Sequence, residues 1–143
     1  MKKLFLFILI IILGIAIIPW TLYEIGLQKI QPLPNPPHEI NLTQSQSQQL
    51  WLKFGEIGPI QVERLNPYQY LFSIFFHREY ENSPGGKVAW FVARDYNLTH
   101  LNTKNMGVWH LSGAALTVWL TRNWSIDQLL MRAEEIQVRK KNI

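Results

Sequence analysis

Apolar runs separated by short polar breaks organise this chain, and the longest run comes first. Met1, Lys2 and Lys3 precede an unbroken apolar stretch from Leu4 to Ile18, and the apolar character persists to Leu27 with Trp20 and Tyr23 near its end. Crossing a bilayer takes about 20 such residues. Lysines at the start hold the N-terminus on the cytoplasmic side, and Trp and Tyr favour the opposite interface. Gly14-Ile15-Ala16 offers a small-x-small cleavage site, but Ile17, Ile18, Pro19 and Trp20 beyond it are still apolar. That favours an uncleaved signal anchor, residues 1–28, over a cleaved signal peptide.

Residues 29–40 follow as a spacer. Pro32, Pro34, Pro36 and Pro37 forbid a helix and favour extended polyproline backbone, which predicts a stiff segment lifting residues 41–143 a short distance off the bilayer. Within that domain Leu50, Trp51 and Phe54 recur at helical spacing and predict a helix over 43–54. Gly58-Pro59 breaks the segment 55–65 into a loop. Asn66-Pro67 is a helix start, and Tyr70, Leu71, Phe72, Ile74, Phe75 and Phe76 carry that helix to about His77. Gly85-Gly86 ends a polar loop, after which Val88 to Tyr96 reads as a mostly buried helix and 97–106 as a connector.

The next helix, Trp109 to Leu120, is apolar on nearly every side, interrupted only by His110, Ser112 and Thr117. A helix of that kind belongs inside a core, and at about a dozen residues it is too short to span a membrane. Its polar exit, Thr121-Arg122-Asn123, suits either capping of the last carbonyls or the floor of a cleft. Ser125 and Gln128 have the form of a capping box, opening a final amphipathic helix with Leu129, Leu130, Ala133 and Ile136 on its buried side. No segment shows the period-two alternation of a strand. The fold class is all-α: a transmembrane helix followed by a small bundle of about five helices.

Composition changes this picture little. The net charge is +4, with basic residues gathered at Lys2-Lys3 and Arg139-Lys140-Lys141. Neither cluster is interleaved with aromatics, which excludes a nucleic-acid surface. No cysteine is present, so a disulfide scaffold, a thiolate metal site and a cysteine nucleophile are excluded. His38, His77, His100 and His110 are spaced too irregularly for a metal signature, and neither a phosphate-binding loop nor a nucleophile elbow occurs. No metal or other cofactor is expected. Glu56, Glu63, Glu79, Glu81 and Asp95 could supply an acid or base. Glu56, between the aromatic end of a helix (Trp51, Phe54) and the Gly58-Pro59 turn, is the first candidate for a catalytic acid with a raised pKa.

One motif resembles a known family. Gly113-Ala-Ala-Leu-Thr-Val-Trp-Leu-Thr-Arg-Asn123 is similar, at matching spacing, to the Gly-Ser-Thr-Ile-Thr-Gln-Gln-Leu-x-Lys-Asn motif of the peptidoglycan glycosyltransferases. These are the transglycosylase domains of class A penicillin-binding proteins and their monofunctional relatives. Gly113, Thr117, Leu120 and Asn123 match, and Arg122 stands in place of lysine. Val118 and Trp119 replace two glutamines, and Arg94-Asp95 leads to His100 where the family has Glu-Asp-x-x-Phe-x-x-His, with arginine at the glutamate.

The resemblance implies a lysozyme-like helical domain on the periplasmic side of a bacterial inner membrane. That domain would bind or process peptidoglycan glycan or its lipid-linked precursor through Arg122, Asn123, Thr117, Trp119, His110, Arg94 and Asp95. Trp109, Trp119 or Trp124 would stack on sugar, and Glu56 would act as the acid. The alternative is a non-catalytic module that binds other envelope proteins, in secretion, division or toxin immunity. An enzyme would carry a half-buried glutamate in a cleft near Arg122. A binding module would instead expose an aromatic patch.

Overall fold

The computed structural model describes residues 2–69 and 83–142. Among them the chain is all-helical, with five helices: α1 (Lys2–Lys29), α2 (Gln44–Lys53), α3 (Gly86–His100), α4 (Met106–Asn123) and α5 (Ile126–Lys141). A further helical turn begins at 67–69. The rest of the helix expected to reach His77, together with Glu79 and Glu81, lies outside the described residues.

Local sequence chemistry sets the helix starts. Thr43 and Gln46 cap α2 reciprocally, and Ser125 and Gln128 do the same for α5, so both helices begin with two donors satisfied by side chains. Asn105 caps α4 by accepting from the Val108 amide, so the helix takes in Met106, Gly107 and Val108. α3 is also longer than its apolar run suggested. It continues through Asn97 to His100 because Asn97 is fully buried, its Nδ2 donating to the Trp109 carbonyl at 2.9 Å. Thr99 meanwhile folds its hydroxyl back onto the Asp95 carbonyl.

α4 is the centre of the domain, as its all-round apolar surface predicts. Ala114, Ala115, Leu116, Val118 and Leu120 are buried, and so are Ser112, Thr117 and Thr121. α1 covers one side of α4 and α3 covers another, while α5 packs on α3 and α2 packs on α5. A common core gathers Ile30, Trp51, Val88, Val92, Leu116, Leu120, Trp124, Leu129, Leu130 and Ile136.

α1 holds one helix long and apolar enough to cross a membrane, Leu6–Lys29. Leu4 and the apolar side chains from Leu6 to Ile18 are exposed, whereas Gly26, Leu27 and Ile30 at the far end are buried. Gly26 explains the approach. A Cβ there would lie 2.6 Å from the Ala115 Cβ and 2.8 Å from the Leu111 carbonyl oxygen, so only glycine lets the two backbones come this close. The apolar seam formed by Pro19, Leu22, Tyr23, Pro67, Leu111, Ala114, Ala115 and Val118 leaves about 10 Å³, barely the volume that admits one water. Gly26 meets Leu111 and Ala115 while Trp20 meets Arg122, so α1 and α4 run antiparallel.

The proline-rich segment lies against the domain. Pro34 and Pro37 are buried, the Tyr96 hydroxyl donates to the Pro32 carbonyl at 2.6 Å, and Arg132 donates to the Asn35 carbonyl at 3.1 Å. No regular secondary structure occurs over 31–40. The segment serves as a strap across α3 and α5, where the sequence pointed to a spacer that lifts the domain, and the last turns of α1 belong to the domain itself.

Candidate functional site

A groove lies where the strap crosses α3 and α5. It measures about 460 Å³ and is lined by Pro32, Leu33, Pro34 and Asn35, by Val92, Asp95, Tyr96, Thr99 and His100 of α3, by Trp124, and by Arg132, Glu135, Ile136 and Arg139 of α5. That volume is within the range of small-molecule sites. Helical periodicity builds its walls. Val92, Tyr96 and His100 share one face of α3, and Arg132, Glu135, Ile136 and Arg139 share one face of α5.

Tyr96 and His100 stack face to face, ring centroids 3.8 Å apart and planes 9° from parallel. Burial pushes the Tyr96 hydroxyl above its ordinary value, so it remains a donor to Pro32 throughout the neutral range. His100 Nδ1 is engaged by Thr99 and by the Tyr96 carbonyl. The charges in the groove are largely satisfied within the protein. Asp95, almost fully buried, pairs with Arg139 at 2.5 Å and Lys140 at 3.2 Å. Arg132 pairs with Glu135 at 2.9 Å and lies over the Trp124 ring.

The residues singled out from the sequence do not assemble into one constellation. Asp95 and Trp124 line the groove. Arg94, one position away on α3, faces outward over Trp90, its guanidinium carbon 5.3 Å from the ring centroid. Thr117 is buried in α4 and bonds the Gly113 carbonyl at 2.8 Å, which makes it a helix-packing residue. His110 is exposed near the start of α4, edge-on to Trp109. Trp119 is half-buried against the core, and its carbonyl accepts from Asn123 Nδ2 at 2.8 Å. Arg122 donates to the Leu65 carbonyl at 3.2 Å and lies over the Trp20 ring of α1. Arg122 and Asn123 therefore finish α4 and join it to α1 and the 55–65 loop.

Glu56 sits in a different setting again. It is buried, and its Oε1 accepts from the Lys87 amide at 3.2 Å in the first turn of α3. Gly85, the N-cap of α3, has no side chain to cap with. Glu56 supplies the missing acceptor from a loop far away in sequence, at the helix end that favours negative charge. Burial raises its pKa, opposed by the Lys87 and Gly85 amides and by the Lys87 charge. A raised carboxyl is what an acid catalyst needs, but this one faces backbone amides. Its hydrogen-bond partners and those of Arg122 have no residue in common, and Glu56 is not part of the groove.

The sequence reading missed Tyr96 and His100 as a pair, and it missed Arg132 and Glu135. The available signals were the i, i+4 spacing of the first two, visible once α3 is extended to His100, and the one-face spacing of Arg132, Glu135, Ile136 and Arg139. Among the described residues no cluster of three or more His, Asp or Glu side chains could hold a metal ion. No family model matches this chain, and neither do the curated proteins or the solved structures compared with it.

Proposed function

We propose that this chain is a single-pass, membrane-anchored binding module of the bacterial envelope. Its domain stands on the periplasmic side and holds peptidoglycan glycan, as polymer or as lipid-linked precursor, in the groove between strap, α3 and α5 without turning it over. One observation carries the reading. The groove presents an aromatic stack, an indole and guanidinium groups, while its carboxylates are held in ion pairs with Arg139, Lys140 and Arg132. Aromatic faces suit sugar rings, and the donors that Arg132 and Arg139 keep beyond their ion pairs with Glu135 and Asp95 suit the carboxylate and phosphate groups of cell-wall intermediates. Glycosyl chemistry needs a carboxyl group free to move a proton. Glu56, the carboxyl with the raised pKa, is occupied with capping α3.

A second reading, an envelope protein-interaction module, is favoured by a different surface. Trp90 and Leu98 are 41% and 60% exposed on the outer face of α3, with Arg94 between them. The experiment is binding of soluble glycan fragments by the full chain in detergent, as wild type, Tyr96→Ala, Arg132→Ala, Arg122→Ala and Trp90→Ala. Loss in the first two variants with retention in Arg122→Ala supports the groove. Binding that depends on Arg122 moves the site to the end of α4. No binding in wild type favours the protein-interaction reading, to be pursued with Trp90→Ala.

A further inference from the structure

The antiparallel docking of α1 on α4 fixes how the domain meets the bilayer. At 1.5 Å per residue, the about 20 residues from Leu4 to Tyr23 span roughly 30 Å, the hydrocarbon thickness, and they end in the Trp20–Tyr23 pair, packed edge to face at 5.9 Å. Three parts of the domain lie at or below that level. Arg122, at the end of α4, lies over Trp20 with its guanidinium carbon 5.7 Å from the ring centroid. Pro67 enters the α1–α4 seam. Tyr68 reaches further, its hydroxyl donating to the Ala16 carbonyl at 2.6 Å, about one helical turn, or ~6 Å, to the N-terminal side of Trp20. Tyr68 is 41% exposed, so the rest of its ring faces outward at that depth. Arg122 is also exposed, gives one donor to Leu65, and forms no ion pair among the described residues.

We propose that the folded domain binds the lipid headgroup layer of its own bilayer. Residues 65–67 and the end of α4 are immersed in that layer, the Tyr68 ring dips below it into the edge of the hydrocarbon, and Arg122 is the contact to lipid phosphate. The inference rests on the anchor reading of α1. A domain on a stalk would leave Arg122 and Tyr68 in water, whereas here they are fixed to the anchor at the height where its aromatic belt lies. Arginine over an indole, with most of its fork unused among the described residues, is built for phosphate, and Tyr prefers the wet edge of the hydrocarbon. The strap that walls the groove begins past Lys29, about 14 Å along α1 from Trp20.

The chain has no cysteine, so depth can be read with single nitroxide labels on the full protein in phosphatidylglycerol–phosphatidylethanolamine vesicles. Labels at Ile10→Cys, Gln69→Cys, Asn123→Cys and Asn142→Cys would be compared for accessibility to oxygen and to a water-soluble nickel chelate. The expected order is 10 deepest, 69 and 123 in the headgroup layer, and 142 in water. Arg122→Gln should shift the label at 123 towards the value at 142, and Arg122→Lys should not. A label at 123 as hydrated as 142, with 10 buried, overturns the seating while leaving the anchor intact. A hydrated label at 10 overturns the anchor itself. An unmoved label at 123 in Arg122→Gln overturns the phosphate contact.

Discussion

Gly26→Ala adds one methyl group, and its effect changes sign according to whether α1 is part of the folded domain. In a helix facing lipid or water, alanine in place of glycine stabilises by about 1 kcal/mol through backbone entropy and helix propensity. At Gly26 the added Cβ would lie 2.6 Å from the Ala115 Cβ and 2.8 Å from the Leu111 carbonyl oxygen. Neither atom is the end of a flexible side chain, so α1 must move away from α4. Overpacking of this kind costs typically about 1–3 kcal/mol, and two rigid contacts place it in the upper part of that range. The net expectation is a loss of about 1–2 kcal/mol after the propensity gain, a drop of several degrees in the unfolding midpoint.

Gly14→Ala is the internal control in the same helix. Its Cβ would meet only the Ile18 Cδ1 at 3.8 Å, so it should be neutral or slightly stabilising. Adding Ala115→Gly to Gly26→Ala relieves one of the two contacts and should restore part of the loss relative to Ala115→Gly alone. The assay is thermal unfolding of the full chain in detergent, followed by near-ultraviolet circular dichroism of its tryptophans. If Gly26→Ala matches or exceeds wild type in stability, the reasoning fails and α1 is an anchor separate from the domain.

Three further outcomes follow from the same packing. Burial raises the Glu56 pKa, so the folded state holds that proton more tightly than the unfolded chain. Its stabilising contribution is complete below the unfolded value and is lost as pH rises through the raised folded value. Glu56→Gln should flatten that decline in urea titrations at successive pH values, whereas an unchanged slope would contradict it. Asp95→Asn removes the charge that joins α3 to Arg139 and Lys140. Both cations are about half exposed, so the expected loss is only about 1 kcal/mol and should shrink with added salt. Ser112 is buried with its hydroxyl unpartnered among the described residues, and Ser112→Ala should raise stability by about 0.5–1 kcal/mol. A fall in the unfolding midpoint would show that the hydroxyl has a role the packing does not reveal.

Much of the helical framework was legible because it rests on local chemistry. The Ser125 and Gln128 box, the Leu50-Trp51-Phe54 spacing and the apolar circumference of α4 each specify an element within a few neighbouring residues. What was not legible depends on distant partners. Proline density excluded a helix over residues 31–37 but could not say what the segment lies on, since the ties come from Tyr96 and Arg132. The apolar run of α1 reads alike from end to end, and the one clue that its last turns enter the core, Gly26 beside Leu27 and Ile30, looks like any glycine in an apolar helix. Arg139 and Lys140 read only as part of a basic cluster because the acid they answer, Asp95, lies on another helix. Glu56 was singled out by its surroundings, and it is buried with a raised pKa. Its task of capping α3 was hidden because the helix start it serves is Gly85-Gly86, which advertises no need for a cap.

The most direct test of binding without turnover uses the full chain in vesicles with lipid-linked disaccharide-peptide supplied in the same bilayer. Retained substrate and any polymer or cleaved product are followed together over time. The account predicts that substrate is retained in wild type, released in Tyr96→Ala, and recovered unchanged in both. Product formation that disappears in Glu56→Gln would contradict it, and would make the residue capping α3 the acid of an enzyme.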